Sequence, residues 1–169
     1  MLLEDSSHRL DLRPRSYQFG TARGEGYDDN WLVIAGAVAV PEGAWRFVEA
    51  CLTTWEAREI SRWLRAAADP ARGPGALDFT EPLLTFGLAE EQPADGRRLV
   101  RVRFALEAAP PWVDLDAEEA EDEDAEDDDS DGDGGDVWPG HTAEFLLAPA
   151  ELRAAADAWD AELAPFPER

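Results

Sequence analysis

Between Asp114 and Asp136 the chain carries fifteen carboxylates in twenty-three residues and no basic side chain. Like charges at that density cannot bury apolar surface or tolerate compaction, and the closing Asp131-Gly132-Asp133-Gly134-Gly135 adds backbone freedom. The sequence therefore predicts a disordered acidic loop over 114–136. Its flanks, Ala109-Pro110-Pro111-Trp112 and Val137-Trp138-Pro139-Gly140, have the Pro-stiffened aromatic character of an ordered scaffold resuming on either side. At 169 residues this fits one domain, 1–169, with an insertion inside it. The formal net charge is −23, but without the acidic run 23 acids face 15 bases, so the rest is only mildly acidic. Such a balance repels nucleic acid and anionic membranes and attracts basic surfaces, so the expected partner is a basic protein. All the bases are Arg, which we read as base-composition bias rather than function.

Outside the run, apolar content is ample for a core: 44% of residues are hydrophobic, including seven Trp and seven Phe. Trp31 to Val40 reads as a central strand, with Gly36 marking a bulge or close approach. Pro41-Glu42-Gly43 makes a turn, and Ala44 to Leu52 returns as a neighbouring strand. In that second strand Trp45, Phe47 and Cys51 share one face and Arg46, Val48, Ala50 and Leu52 the other. Thr53-Thr54-Trp55-Glu56 fits a capping box that starts a helix running to Ala68, with Ala57, Ile60, Trp63, Leu64 and Ala67 on one stripe. Strands are expected at 76–80 and 83–89, then a turn at Asp95-Gly96 into 97–108. A last strand at 141–147 precedes a closing helix from Ala150 to Leu163. The order predicts an α+β fold: an antiparallel sheet of about six to seven strands with two packed helices and the acidic insertion. With no apolar run of about 18 residues, no secretory start and a single Cys51, the expected location is the cytoplasm.

Catalytic and metal chemistry find little to work with. The two His, His8 and His141, lie beside no nucleophile signature, and one Cys with two His falls short of a zinc cage. Phosphate loops need a Lys the chain does not have, and the Gly20, Gly24, Gly26 cluster reads as an ordinary loop. Asp127, Asp129, Asp131 and Gly132 match the opening of a calcium loop, but the twelfth position is Trp138 instead of a bidentate Glu. They read instead as solvated carboxylates that attract cations without a cage. The pairs Asp28-Asp29 and Glu90-Glu91 read as surface solvation. No catalytic residue, cofactor or metal is expected. Trp55 is different: it falls on the arc that bears Arg58 and Arg62, as a partner-binding anchor would. A first-turn side chain covering a sheet edge would sit there too. Trp112, at the shoulder of the acidic run, is the second candidate anchor. Asp127, Asp129 and Asp131 are candidates for drawing in a basic partner.

Five stretches carry a family resemblance: Asp29-Asn30-Trp31-Leu32-Val33, Cys51 to Glu59, Phe79-Thr80-Glu81-Pro82, Pro110-Pro111-Trp112, and Trp159 to Pro167. Together they resemble the WapI-type immunity proteins over most of the chain apart from the acidic run, which departs from the pattern. The resemblance implies a protein that protects its producing cell by binding the C-terminal domain of a large secreted contact-dependent toxin. In the named member that domain is a nuclease acting on tRNA. The alternative left open by the residues is an acidic regulatory or scaffolding module that captures a basic protein, with no toxin involved.

Overall fold

The computed structural model describes residues 1–115, apart from Pro70 and Arg72, and 139–169. The acidic run from Asp116 onward, and with it the expected disorder and the calcium-loop match, lies outside the described residues. Among the described residues seven strands form two antiparallel sheets. The first runs in the order β1 (Leu2–Glu4), β2 (Arg9–Tyr17), β3 (Trp31–Val40), β4 (Gly43–Thr53), and the second β5 (Leu84–Leu88), β6 (Arg98–Ala105), β7 (Gly140–Leu147). Helix α1 (Thr54–Ala67) follows β4 directly, and α2 (Pro149–Leu163) follows β7. This is the α+β arrangement expected, with the strands divided between two sheets.

Period-two alternation decides what each strand buries. From β3, Leu32, Ile34, Val38 and Val40 point into the core. From β6 come Val100, Val102 and Phe104. The sheets meet where Trp45 and Phe47 of β4 pack on Phe104, at ring separations of 5.3 and 6.2 Å. The predicted helix stripes are buried as drawn, Ala57, Ile60, Trp63, Leu64 and Ala67 in α1 and Leu152, Ala155, Ala156, Trp159 and Leu163 in α2. The helices are tied together by Trp159 Nε1 donating to Ala57 O at 2.6 Å, and on the surface by Arg65 reaching Asp157 and Asp160. Buried side chains of both sheets and both helices join in one cluster.

Two sequence expectations are corrected, one stretch without an expectation gains strands, and one open alternative is decided. Ala76 to Thr80 is no strand: Leu77 makes a lone bridge to Phe86, and the Thr80 amide turns away to donate to Glu56. The N-terminal stretch, for which the sequence set no element, forms β1 and β2. Leu3, Leu10 and Leu12 are buried on one face, while Arg9 and Arg13 pair with Glu4 and Asp11 on the other. Leu52 is buried, because a register shift opposite Leu32 and Val33 puts both Cys51 and Leu52 inside. At Gly36 the register is kept, so of the two alternatives there is no bulge but a close approach: the Phe47 ring would lie 2.1 Å from a Cβ there.

Candidate partner-binding site

Residues 23–30 form a loop built around two buried polar side chains. The Asp29 carboxylate accepts the backbone amides of Arg23, Gly24 and Glu25 at 2.8–3.0 Å. These amides, the Arg23 amide foremost, hold its pKa below the ordinary Asp value against the burial that raises it. Gly24 sits at φ +81°, a conformation that costs glycine least. Asn30 joins three segments. Its Oδ1 accepts from Thr54 Oγ1 at 3.0 Å and from the Arg169 amide at 2.9 Å, and its Nδ2 donates to the carbonyls of Gly26 and Arg169.

Next to this loop, α1 begins with the predicted capping box. Thr53 Oγ1 accepts the Glu56 amide at 3.3 Å, and Glu56 takes the Thr53 amide at 2.8 Å. The other Glu56 oxygen accepts the Thr80 amide at 2.8 Å. Burial pushes the Glu56 pKa up, but the donors from Thr80 and Thr53 outweigh it and hold the carboxyl below its ordinary value. The cap thus fixes the first turn of α1, where Trp55 stands, against the loop that carries Tyr27.

The result is a half-exposed aromatic patch. Tyr27, 49% exposed, lies 5.8 Å from the Trp31 ring and 5.6 Å from the Trp55 ring, and its hydroxyl meets Thr80 Oγ1 at 3.3 Å. The exposed carboxylates Glu25 and Asp28 share the Tyr27 loop, Glu59 follows one turn along α1, and Glu81 follows Thr80. Aromatic faces next to carboxylates suit a cationic side chain, which gains both cation–π and charge attraction there.

The structure brings some of the sequence-predicted residues together and separates others. Trp55, Arg58 and Arg62 share α1, and Trp55 and Arg62, two turns apart, lie on one stripe. Arg62 is exposed, whereas Arg58 turns inward to donate to the carbonyls of Thr54 and Phe166. Trp112 belongs to another cluster: it is 43% exposed and packs edge-on to Trp45 and His141, with its ring against Gly43. Gly43 and Trp55 stand at opposite ends of β4, about 30 Å apart by strand rise, so the two anchors do not form one pocket. Asp127, Asp129 and Asp131 lie outside the described residues.

Sequence reasoning missed Tyr27 and Trp31 as members of the site and took Asp28-Asp29 as a solvated pair. Only Asp28 is exposed, and Asp29 is 2% exposed. The available signal was Asp29-Asn30 immediately ahead of an apolar strand, where small polar side chains organise backbone amides.

Little here supports bond-making chemistry. Cys51 is buried, and burial pushes its thiol up to about 12, so it stays protonated. His8 sits edge-on to Phe145, and His141 between Trp45 and Trp112. Among the described residues no three His, Cys, Asp or Glu side chains are grouped to hold a metal ion. Among them, too, no helix is long and apolar enough to cross a membrane.

No curated protein and no solved structure matches this chain. A family description does, over residues 1–167, which takes in the loop, β3 and the capped helix that together build the aromatic patch. By that match the chain belongs to the immunity protein WapI-like family.

Proposed function

We propose that this protein neutralises a secreted bacterial toxin by binding the toxin's C-terminal domain, without chemistry of its own, and that the Tyr27–Trp31–Trp55 patch is the anchor. Family membership supports the immunity role. The observation that carries the anchor is how the patch is braced: an exposed aromatic on a loop tied by a buried Asp-amide nest and set against a capped helix has little entropy to lose on binding. A nuclease domain presents basic surface to its substrate, and the carboxylates near the patch complement such a surface. The acidic run, including Asp127, Asp129 and Asp131, steers encounter, while the anchor sets residence time. This binding takes place in the cytoplasm of the producing cell.

The test is co-expression with the C-terminal domain of a secreted toxin from the same producing cell. Cells survive with the native protein and lose protection with a Tyr27→Ala, Trp55→Ala double variant that remains folded. Survival undiminished by the double variant contradicts the anchor. Failure of the native protein to protect contradicts the toxin reading.

A further inference from the structure

The outward face of the first sheet continues directly from the aromatic patch. Along β3 the residues turned away from the core are Trp31, Val33, Ala35, Ala37 and Ala39, so beyond Val33 the face is alanine alone. Beside this alanine floor stand arginines, Arg9 opposite Ala39 and Arg13 opposite Ala35 from β2, with Arg15 at the β2 bulge and Arg46 opposite Ala37 from β4. Two adjoining hollows of about 620 and 340 Å3 run along the floor and share Asp11, Ala37 and Arg46. Glu4 and Asp11 hold Arg9 and Arg13 by ion pairs of 2.6 and 3.0 Å. Among the described residues neither Arg15 nor Arg46 has an ion-pair partner. Val48, 59% exposed, adds an apolar flank opposite Ala35.

We infer that this trough is a docking surface for an acidic, small-residue stretch of the bound toxin domain. Carboxylates of that stretch meet Arg15 and Arg46, and its backbone lies on the alanines. The inference rests on the toxin reading above and adds where the partner's acidic groups go. Charge complementarity selects the occupant. On a chain of net charge −23, this face carries, among the described residues, the guanidiniums of Arg9, Arg13, Arg15 and Arg46 against the carboxylates of Glu4 and Asp11, so it disfavours the basic surface that the aromatic end attracts. Continuity supports one partner spanning both ends, since both lie on a single side of β3. Opposite polarity at the two ends then fixes the direction of docking, because a reversed partner would place like charges together.

The test uses the full chain, isotope-labelled for NMR, with two synthetic probes: a peptide alternating Glu and Ala, and its Arg–Ala mirror. The acidic probe should shift the amides of Ala35, Ala37 and Arg46 saturably, and Arg46→Glu or Arg15→Glu should each weaken its binding roughly tenfold. The basic probe should shift Tyr27 and Trp55 and leave Ala37 alone. Acidic-probe shifts scattered equally over Arg65 and Arg97 would overturn the inference. So would occupation of the trough by the chain's own acidic run, seen as broadening of Ala37 and Arg46 by a spin label on Ser130→Cys; Cys51 is buried and leaves the label selective. A correct peptide map without toxin protection would sink only the reading beneath it.

Discussion

Tyr27 is half exposed and touches Trp31, Trp55 and Thr80 from one side only, so its removal should be felt in binding and little in folding. Tyr27→Ala and Trp55→Ala should each weaken toxin-domain binding by about 2 kcal/mol, roughly thirtyfold, through faster dissociation. Calorimetry alongside thermal unfolding checks both halves. Glu56 answers to pH. Its folded-state pKa is depressed, so its stabilisation is fully present above about pH 4.3 and is lost as pH falls through the lower folded value. Asp29, depressed likewise, adds to the same acid loss. Glu56→Gln should cost about 1–2 kcal/mol at neutral pH and flatten the decline in denaturant midpoint between pH 5 and 3, about the ordinary carboxylate range. Gly36→Ala should destabilise by about 1–3 kcal/mol, since a methyl there meets the Phe47 ring in a filled core. The capping box was legible because its spacing is local and its partners lie within four residues. The role of Asp29 was not, because its amides belong to a loop whose path no periodicity marks.

Elements with strong periodicity read well, and those shaped by distant partners did not. Both helices show their buried stripes in sequence, and β6 shows its alternation of Val100, Val102 and Phe104 with Arg101 and Arg103. β2 alternates too, but Arg9, Asp11 and Arg13 masked the buried Leu10 and Leu12 until their ion pairs with Glu4 and within β2 were seen. Leu77 to Thr80 failed as a strand because Glu56, remote in sequence, takes the Thr80 amide. The segment after α2 is the least visible element of the site. Arg58 grips the Phe166 carbonyl, Arg169 bonds Asn30 through backbone donor and acceptor, and its guanidinium stacks 3.4 Å over Tyr17. Deleting residues 166–169 should therefore loosen the Tyr27 loop and weaken binding about tenfold, while α1 and α2 remain packed. Hydrogen exchange checks this: faster exchange confined to residues 19–30 is expected, and faster exchange throughout α2 would contradict it.

At the scale of the whole molecule, the proposed function separates charge from anchor. In the proposed function the acidic run would act at a distance and be screened by salt, whereas the aromatic patch would act only on contact. Charge along the chain was readable at once, but its counterpart on the folded surface, the arginine-walled trough, appears only when β2, β3 and β4 are aligned. The most direct test is stopped-flow association and dissociation of the toxin's C-terminal domain with three proteins: native, Asp114 to Asp136 deleted, and Tyr27→Ala with Trp55→Ala. The account predicts slower, less salt-sensitive association with unchanged dissociation for the deletion, and the reverse, unchanged association with dissociation faster by a hundredfold or so, for the aromatic pair. Equal association rates for native and deleted protein, or dissociation untouched by losing both aromatics, would contradict it.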